Sequence, residues 1–249
     1  MKKRKWLVLQ TDDGSPTLLP EEGSAQAMHS LQGALSETLH VYGPLADALV
    51  QRQVEQKAVV VGLGLGYIEA LLAATSLQSD FEPTFLLSYE SEPELQSAFL
   101  ASLCDDGSCE SSPSSLVAIM TDVRRRVALA KGVDTEAMRS LLFRWHKERR
   151  LLLLGALDEE TIRAPESHSS LAEFGALFFD AYSEAASHEL WTPTFLSELL
   201  SLAAPKAGVA TYAARGPLTR ALRAHGFTRT PRSGYGRKRE CTLAFRQSD

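Results

Sequence analysis

Three glycines at alternate positions, Gly62, Gly64 and Gly66, separate an apolar run (Ala58 to Val61) from an apolar helical pattern that begins near Tyr67. Two acids stand where later apolar runs end: Glu90 after Phe85 to Tyr89, and Asp180 after Ala176 to Phe179. Glycines between a strand and a helix let the backbone turn tightly and come close to a ligand. In the dinucleotide fingerprint the third glycine follows the second by three residues, so that the helix start receives a pyrophosphate. The G-x-G-x-G spacing here gives close approach without that cradle. An acid ending the second strand, 24 residues beyond Gly66, is placed to accept hydrogen bonds from two ribose hydroxyls. Val61, Gly62, Gly64, Gly66 and Glu90 are therefore the candidate cofactor set, although Glu90, followed by Glu92 and Glu94, also reads as a loop acid. An acid at the carboxyl end of a parallel strand points into the crevice where such sheets bind ligands. Taken alone, Asp180 reads as a cap for the next segment. Beside a cofactor loop it could orient an amine N–H and receive or relay its proton, with Tyr182 two positions on as a substrate contact.

Those residues require a sheet whose strand ends converge. Apolar runs at Ala58 to Val61, Phe85 to Tyr89, Leu151 to Leu154 and Ala176 to Phe179 alternate with helical patterns, which implies a parallel sheet covered on both faces. A helix through TPTFLSELLSLAAPKAG, closed by Pro205 and Gly208, leads to a fifth strand, VATYAA. A short helix, GPLTRALRAHGF, precedes ECTLAFR, where Cys241, Leu243 and Phe245 share one face of a strand next to the edge. The expected fold is α/β and Rossmann-like, mostly parallel, with an antiparallel last strand. Residues 1–50 form a lead-in: a hairpin around Asp13-Gly14, then helix mixed with loop. Residues 51–249 form the main domain, with an insertion near 101–150 in which Arg124, Arg125 and Arg126 read as a solvated helix face.

The 249 residues carry 26 basic and 31 acidic side chains, a net charge of −5, which argues against a uniformly basic nucleic-acid binder. The basic residues are uneven, however. Between Thr211 and Glu240 stand Arg215, Arg220, Arg223, Arg229, Arg232, Arg237, Lys238 and Arg239 against Glu240 alone, enough for a local positive face. No apolar run reaches the roughly 18 residues of a spanning helix, so no membrane partner and a cytoplasmic location are expected. Cys104 and Cys109 make an isolated C-x4-C, read as ordinary thiols with no metal site. His29 and His188 read first as packing or surface residues, with the wall of the acceptor pocket as the alternative for His29.

Close approach without a pyrophosphate cradle is the pattern of S-adenosyl-L-methionine sites in Rossmann-like methyltransferases. The C-terminal half resembles, more specifically, the methyltransferase domain of MnmC-type tRNA-modifying proteins. The motifs carrying the resemblance are Asp180-Ala181-Tyr182, Glu189-Leu190-Trp191, Thr211-Tyr212, Leu218 to Phe227, and Gly234-Tyr235-Gly236-Arg237-Lys238-Arg239-Glu240. The N-terminal stretches TDDGSPTL and MHSLQGALSETLHVY are similar to the same family's lead-in, and residues 100 to 150 are left uncovered.

The resemblance implies S-adenosyl-L-methionine as cofactor. It implies N-methylation of the 5-aminomethyl group of a wobble uridine in tRNA, giving 5-methylaminomethyl(-2-thio)uridine. Asp180 would be the catalytic residue, and Tyr182, Arg237, Lys238 and Arg239 would contact tRNA, the last three also being readable as a structural turn. In bifunctional members an FAD-dependent oxidoreductase domain exposes the amine. This chain is expected to act alone, with the amine supplied by a separate oxidoreductase or another source. It departs from the family pattern at Val60 and Ala156, where acids are usual, and at Leu65, with the nearest acid, Asp158, two places late. A methyltransferase with another amine acceptor, and a non-catalytic binding descendant, are the alternatives.

Overall fold

The computed structural model describes residues 5–21, 26–51, 57–79, 81–104, 114–182 and 187–247; Cys109 and its serine-rich loop lie outside them. In order come β1 (Trp6–Gln10), β2 (Pro16–Pro20), α1 (Ala34–Gln51), β3 (Lys57–Val61), α2 (Tyr67–Ser79), β4 (Phe85–Tyr89) and α3 (Pro93–Leu103). Then follow α4 (Ser114–Lys131), α5 (Thr135–Lys147), β5 (Leu151–Leu154), α6 (Glu159–Arg163), α7 (Pro165–Leu171) and β6 (Phe174–Phe179). The chain ends with α8 (Pro193–Ser201), β7 (Ala203–Thr211), α9 (Gly216–Ala224), β8 (Phe227–Thr230) and β9 (Thr242–Arg246). β1 and β2 form an antiparallel hairpin. The other strands make one sheet in the order β5-β4-β3-β6-β7-β9-β8. β3 to β7 run parallel, and β9 lies antiparallel to both of its neighbours, as the Rossmann-like reading requires.

Alternation along the central strands divides the core in two. Val60, Leu86 and Phe178 face one way, against Tyr42 and Leu45 of α1, Leu71 of α2, Val123 of α4 and Trp145 of α5. Val59, Leu87 and Leu177 face the other way, against Leu199 of α8 and Leu222 of α9. The lead-in helix and the parallel strands thus share a core, and α4 and α5 are crossover helices packed on α2.

Several local expectations are corrected. Arg124 is 4% exposed and donates to Oγ and O of Ser102 at the end of α3; only Arg125 and Arg126 meet the expected pattern, both paired with Asp122. Cys104 is disulfide-bonded rather than a free thiol. β7 starts at Ala203, so Pro205 and Gly208 do not close the preceding helix. Pro205 lies in the irregular stretch where the β6–β7 register jumps from Ala203 to Gly208, a place where a missing N–H is tolerated. Gly208 is needed for close approach, since a Cβ there would lie 2.3 Å from Leu45 Cδ1. β8 has no counterpart in the sequence reading, because FTRT offers only one buried residue, Phe227.

The Gly43-Pro44 pair, a loop signal in sequence, lies inside the single helix α1. A proline there removes the N–H that would bond the carbonyl four residues back, at His40. The guanidinium of Arg232 donates to that carbonyl instead, at 2.8 Å, so a residue from the C-terminal turn makes the proline tolerable.

Candidate functional site

The three glycines all have positive φ, +99° at Gly62, +52° at Gly64 and +79° at Gly66, but they do different work. A Cβ on Gly62 would stand 2.5 Å from the carbonyl oxygen of Asp180, and one on Gly66 would stand 2.5 Å from the Phe99 ring. Gly62 therefore lets the ends of β3 and β6 close together, and Gly66 seats the start of α2 on α3. Gly64 has nothing nearer than Met28 Sδ at 3.6 Å and faces a cavity.

Glu90 is drawn into this loop. It is 8% exposed; its Oε2 accepts from the Gly64 N–H at 3.0 Å and its Oε1 from the Glu92 N–H at 2.9 Å. Burial raises its pKa. Gln96, which sequence reasoning missed, holds the strand ends in place: its amide donates to the carbonyls of Glu90 and Leu154, at 2.7 and 2.8 Å.

The cavity, about 350 Å³, runs from Gly64 and Glu90 past Val61 and Leu157 to Asp180 and Tyr182, within the usual size range of small-molecule sites. The bare backbone at Gly64 and a carboxylate beside it fit a nucleoside with a ribose diol. Ala156 and Leu157 give the wall an apolar stretch. Asp158 does not line the cavity; it caps α6, accepting from the Thr161 N–H at 2.6 Å. Val60 is fully buried, yet a carboxyl stands near it. Ser88, its register partner on β4, donates to Oε1 of the buried Glu69 at 2.6 Å, and burial pushes Glu69 up to about 7.

At the far end, the Asp180 N–H donates to the Val61 carbonyl at 2.9 Å, which fixes the backbone at the mouth of β6. Its Oδ1 accepts from Tyr42 OH at 2.6 Å, and its Oδ2 lies 3.8 Å from His29 Nε2. Burial pushes this carboxyl up to about 8, against the lowering effect of the Tyr42 hydrogen bond. Asp180 is thus a cavity carboxyl rather than a cap. The next two residues are pinned by aromatic side chains. Tyr212 OH donates to the Ala181 carbonyl at 3.0 Å, Trp191 Nε1 to the Tyr182 carbonyl at 3.0 Å, and Tyr182 OH to the Gln26 carbonyl.

Sequence reasoning missed Tyr42 and left His29 aside. Tyr42 stands four residues from both Thr38 and Ala46 on the buried face of α1, so its spacing signals core alone. His29, for which the sequence leaves the pocket wall as the lesser alternative to packing or surface, lines the cavity.

The Gly234 to Glu240 turn packs on the segment that carries His29. Tyr235 OH donates to the Gln32 carbonyl at 3.2 Å. His40 Nε2 lies 2.8 Å from the Ser233 carbonyl. Lys238 is turned inward: its Nζ is 2.7 Å from Oε1 of the buried Glu37 and 4.0 Å from the Tyr212 ring centroid. Glu37 in turn accepts from the Ser30 N–H at 2.7 Å. Of the three basic residues here, only Arg237 and Arg239 are exposed, as are Arg215, Arg220 and Arg223. Arg215 lies over the Trp191 ring at 5.7 Å. Among the described residues no cluster of metal-binding side chains occurs, and no helix is long and apolar enough to cross a membrane.

Residues 140–247 match the family model described as S-adenosyl-L-methionine-dependent methyltransferase. Over 77 residues the chain is 36% identical to the tRNA 5-methylaminomethyl-2-thiouridine biosynthesis bifunctional protein MnmC of Thiobacillus denitrificans, covering 31% of this chain and 12% of that protein. In structure it is similar to MNMC2 from Aquifex aeolicus (TM-score 0.64, 21% identity), covering 100% of this chain and 72% of that one. Spermidine synthase from Thermotoga maritima shares the fold (TM-score 0.52, 10% identity), with the same coverage of 100% and 72%. The match over residues 140–247, the strand order and the glycine loop agree with an S-adenosyl-L-methionine-dependent methyltransferase domain, and the chain is similar to proteins of the MnmC type.

Proposed function

We propose that the protein methylates the 5-aminomethyl group of the wobble uridine in tRNA, giving 5-methylaminomethyl(-2-thio)uridine. The observation that carries this reading is the Asp180 carboxyl, held by Tyr42 at the end of the cavity opposite Gly64 and Glu90. Val61, Gly62, Gly64 and Glu90 line the cofactor's place, Glu90 through the ribose hydroxyls, and Gly66 shapes the loop from behind by seating α2 on Phe99. When bound, the cofactor supplies a sulfonium methyl: the amine's lone pair forms the N–C bond as the C–S electron pair returns to sulfur, and the positive charge passes to nitrogen. Asp180 then has two tasks. In its ionised form, whose share grows as pH rises toward about 8, it accepts an N–H hydrogen bond from the neutral amine and stabilises the charge developing on nitrogen.

The tRNA contacts assigned to this reading are Tyr182 at the cavity mouth and the exposed Arg215, Arg220, Arg223, Arg237 and Arg239. Support for tRNA comes from the relative named for tRNA thiouridine biosynthesis. A separate FAD-dependent oxidoreductase, or another source of the aminomethyl group, completes the scheme. The test is transfer of labelled methyl from S-adenosyl-L-methionine to tRNA bearing 5-aminomethyluridine. One product nucleoside gaining a single methyl supports it, and absence of label in that tRNA defeats it. A second reading, a small cationic amine as acceptor, is favoured by the carboxylates of Glu90, Glu92, Asp180 and Glu189 along the cavity. Label appearing in free polyamine and not in tRNA would establish it.

Lys238 and its neighbours separate structure from binding. Lys238→Ala removes the partner of a buried carboxylate. Because the lysine side chain is itself 36% exposed, a loss of about 1–3 kcal/mol in unfolding free energy is expected, below the roughly 3–5 kcal/mol of fully buried pairs. The salt dependence of tRNA binding should stay as in wild type. Arg237→Ala and Arg239→Ala should do the reverse, each reducing the salt slope by about one unit with little change in melting temperature.

A further inference from the structure

We propose that His29 is the second acceptor at the amine end of the cavity: its Nε2 takes one N–H of a primary amine while Asp180 Oδ2 takes the other, which restricts the enzyme to a single methyl addition. The inference rests on the amine-acceptor reading above and adds the residue that sets its specificity.

His29 comes from the segment that follows the hairpin, far in sequence from Asp180, and is anchored on its other side. Its backbone N–H donates to Thr17 Oγ1 at 3.1 Å, and Nδ1 lies 3.2 Å from the same oxygen. The Tyr67 ring packs edge-on against the imidazole, with centroids 5.0 Å apart. These contacts aim Nε2 into the cavity, 3.8 Å from Asp180 Oδ2. That separation exceeds a direct hydrogen bond and leaves both atoms facing the same space. A hydroxyl oxygen has two lone pairs, so Thr17 Oγ1 can accept from both the backbone N–H and Nδ1–H, leaving Nε2 bare.

Charge agrees with that assignment. Glu37 and Lys238 form an ion pair whose members act on the ring with opposite signs, Asp13 of the hairpin favours its charged form, and the charge of Glu69 disfavours that of Asp180. Burial outweighs these groups and lowers the imidazole to about 4. The ring is therefore neutral at physiological pH, with one hydrogen and one acceptor nitrogen, and Asp180 joins it as the second acceptor in its ionised form, whose share grows toward about pH 8.

A neutral primary amine has two N–H bonds and one lone pair. Two acceptors on the same side fix both N–H bonds and leave the lone pair pointing away, toward the methyl donor. The methylated product, once neutral again, has a single N–H; its methyl group takes the place of the other and meets either Nε2 or Oδ2. A second transfer loses one of the two hydrogen bonds that orient the nucleophile, which disfavours the dimethyl product.

The test has two arms. On the protein alone, nitrogen-resolved NMR of His29 at neutral pH should find hydrogen on Nδ1 and none on Nε2. Hydrogen on Nε2 overturns the proposal, because that nitrogen would then donate. In the second arm, His29→Leu and His29→Asn are assayed with S-adenosyl-L-methionine and 5-aminomethyluridine tRNA, with nucleosides analysed by mass. For His29→Leu we expect kcat to fall about 10- to 100-fold, the scale of one lost orienting hydrogen bond, with cofactor affinity unchanged and dimethylated nucleoside accumulating. His29→Asn, which restores an acceptor, should recover most of the rate and the single methylation. Wild-type kcat and strict single methylation in His29→Leu overturn the proposal. If wild type transfers no methyl to this tRNA, the proposed function fails, and the ring hydrogen still decides the role of His29.

Discussion

Asp180→Asn is expected to abolish methyl transfer while making the protein more stable. Asparagine keeps the Oδ1 that accepts from Tyr42 OH at 2.6 Å, so the backbone at the end of β6 is undisturbed. It cannot carry the negative charge that meets the developing ammonium, and a loss of about 10²- to 10⁴-fold in kcat is expected, with cofactor affinity within a few-fold of wild type. Stability moves the other way. Burial raises the folded pKa of Asp180 from 3.8 to about 8, so the folded state binds a proton that the unfolded state has released. Between those two values stability falls as pH rises, and above about 8 the fold carries a buried carboxylate. The neutral amide removes that cost. The melting temperature of Asp180→Asn should therefore exceed wild type by an amount that grows between pH 5 and pH 8, each kcal/mol being worth about 2–4 °C for a chain of this size. Paired thermal melts and single-turnover assays check both halves. An Asp180→Asn protein that is less stable at pH 8, or that retains more than a tenth of wild-type kcat, contradicts this account of the carboxyl.

The glycine loop gives the second large effect, and here the sign depends on position. Gly62→Ala places a Cβ 2.5 Å from the Asp180 carbonyl oxygen at a φ of +99°. That oxygen belongs to the strand end that carries the candidate catalytic carboxyl, so it cannot retreat without moving Asp180. Strain of about 1–2 kcal/mol for the left-handed conformation adds to the contact. Together they should exceed about 3 kcal/mol, a fall of about 6–12 °C in melting temperature, with activity lost as well. At Gly64 the nearest atom, Met28 Sδ, is 3.6 Å away. Gly64→Ala should cost only the conformational strain, and Gly64→Arg should leave a folded protein whose cofactor cavity is filled. Melting curves and cofactor binding on the three variants separate fold from function. Equal loss of stability at positions 62 and 64 would defeat the distinction.

Much of this site is legible in sequence because it sits where strands end. Buried parallel strands are short continuous apolar runs, so Val61, Tyr89 and Phe179 mark their own carboxyl ends, and Gly62, Glu90 and Asp180 follow directly. What the spacing of glycines does not tell is which one faces the ligand. That depends on Phe99 and on the carbonyl of Asp180, far away in the chain. His29 was illegible for the same reason: only the pairing of the hairpin with the segment around Met28, whose N–H bonds the Leu18 carbonyl, brings it 3.8 Å from Asp180. Charge patterning misled at Arg124, and at Lys238 it left a structural turn beside a tRNA contact, since a long basic side chain on a polar stretch can lie over apolar surface and reach a buried partner. The lead-in reads as helix mixed with loop, yet α1 runs unbroken through Gly43-Pro44, where Arg232, nearly two hundred residues later, donates to the carbonyl that the proline leaves without a partner.

On this reading the cavity between Gly64, Glu90 and Asp180 holds the cofactor despite valine at position 60 and alanine at position 156. Calorimetric titration of S-adenosyl-L-methionine into the purified protein, alongside Gly64→Arg, tests it most directly. Micromolar binding with one site per chain, abolished in a Gly64→Arg protein that still melts cooperatively, is the predicted result. No heat of binding at millimolar cofactor, or equal binding by Gly64→Arg, would show that the cofactor does not sit there.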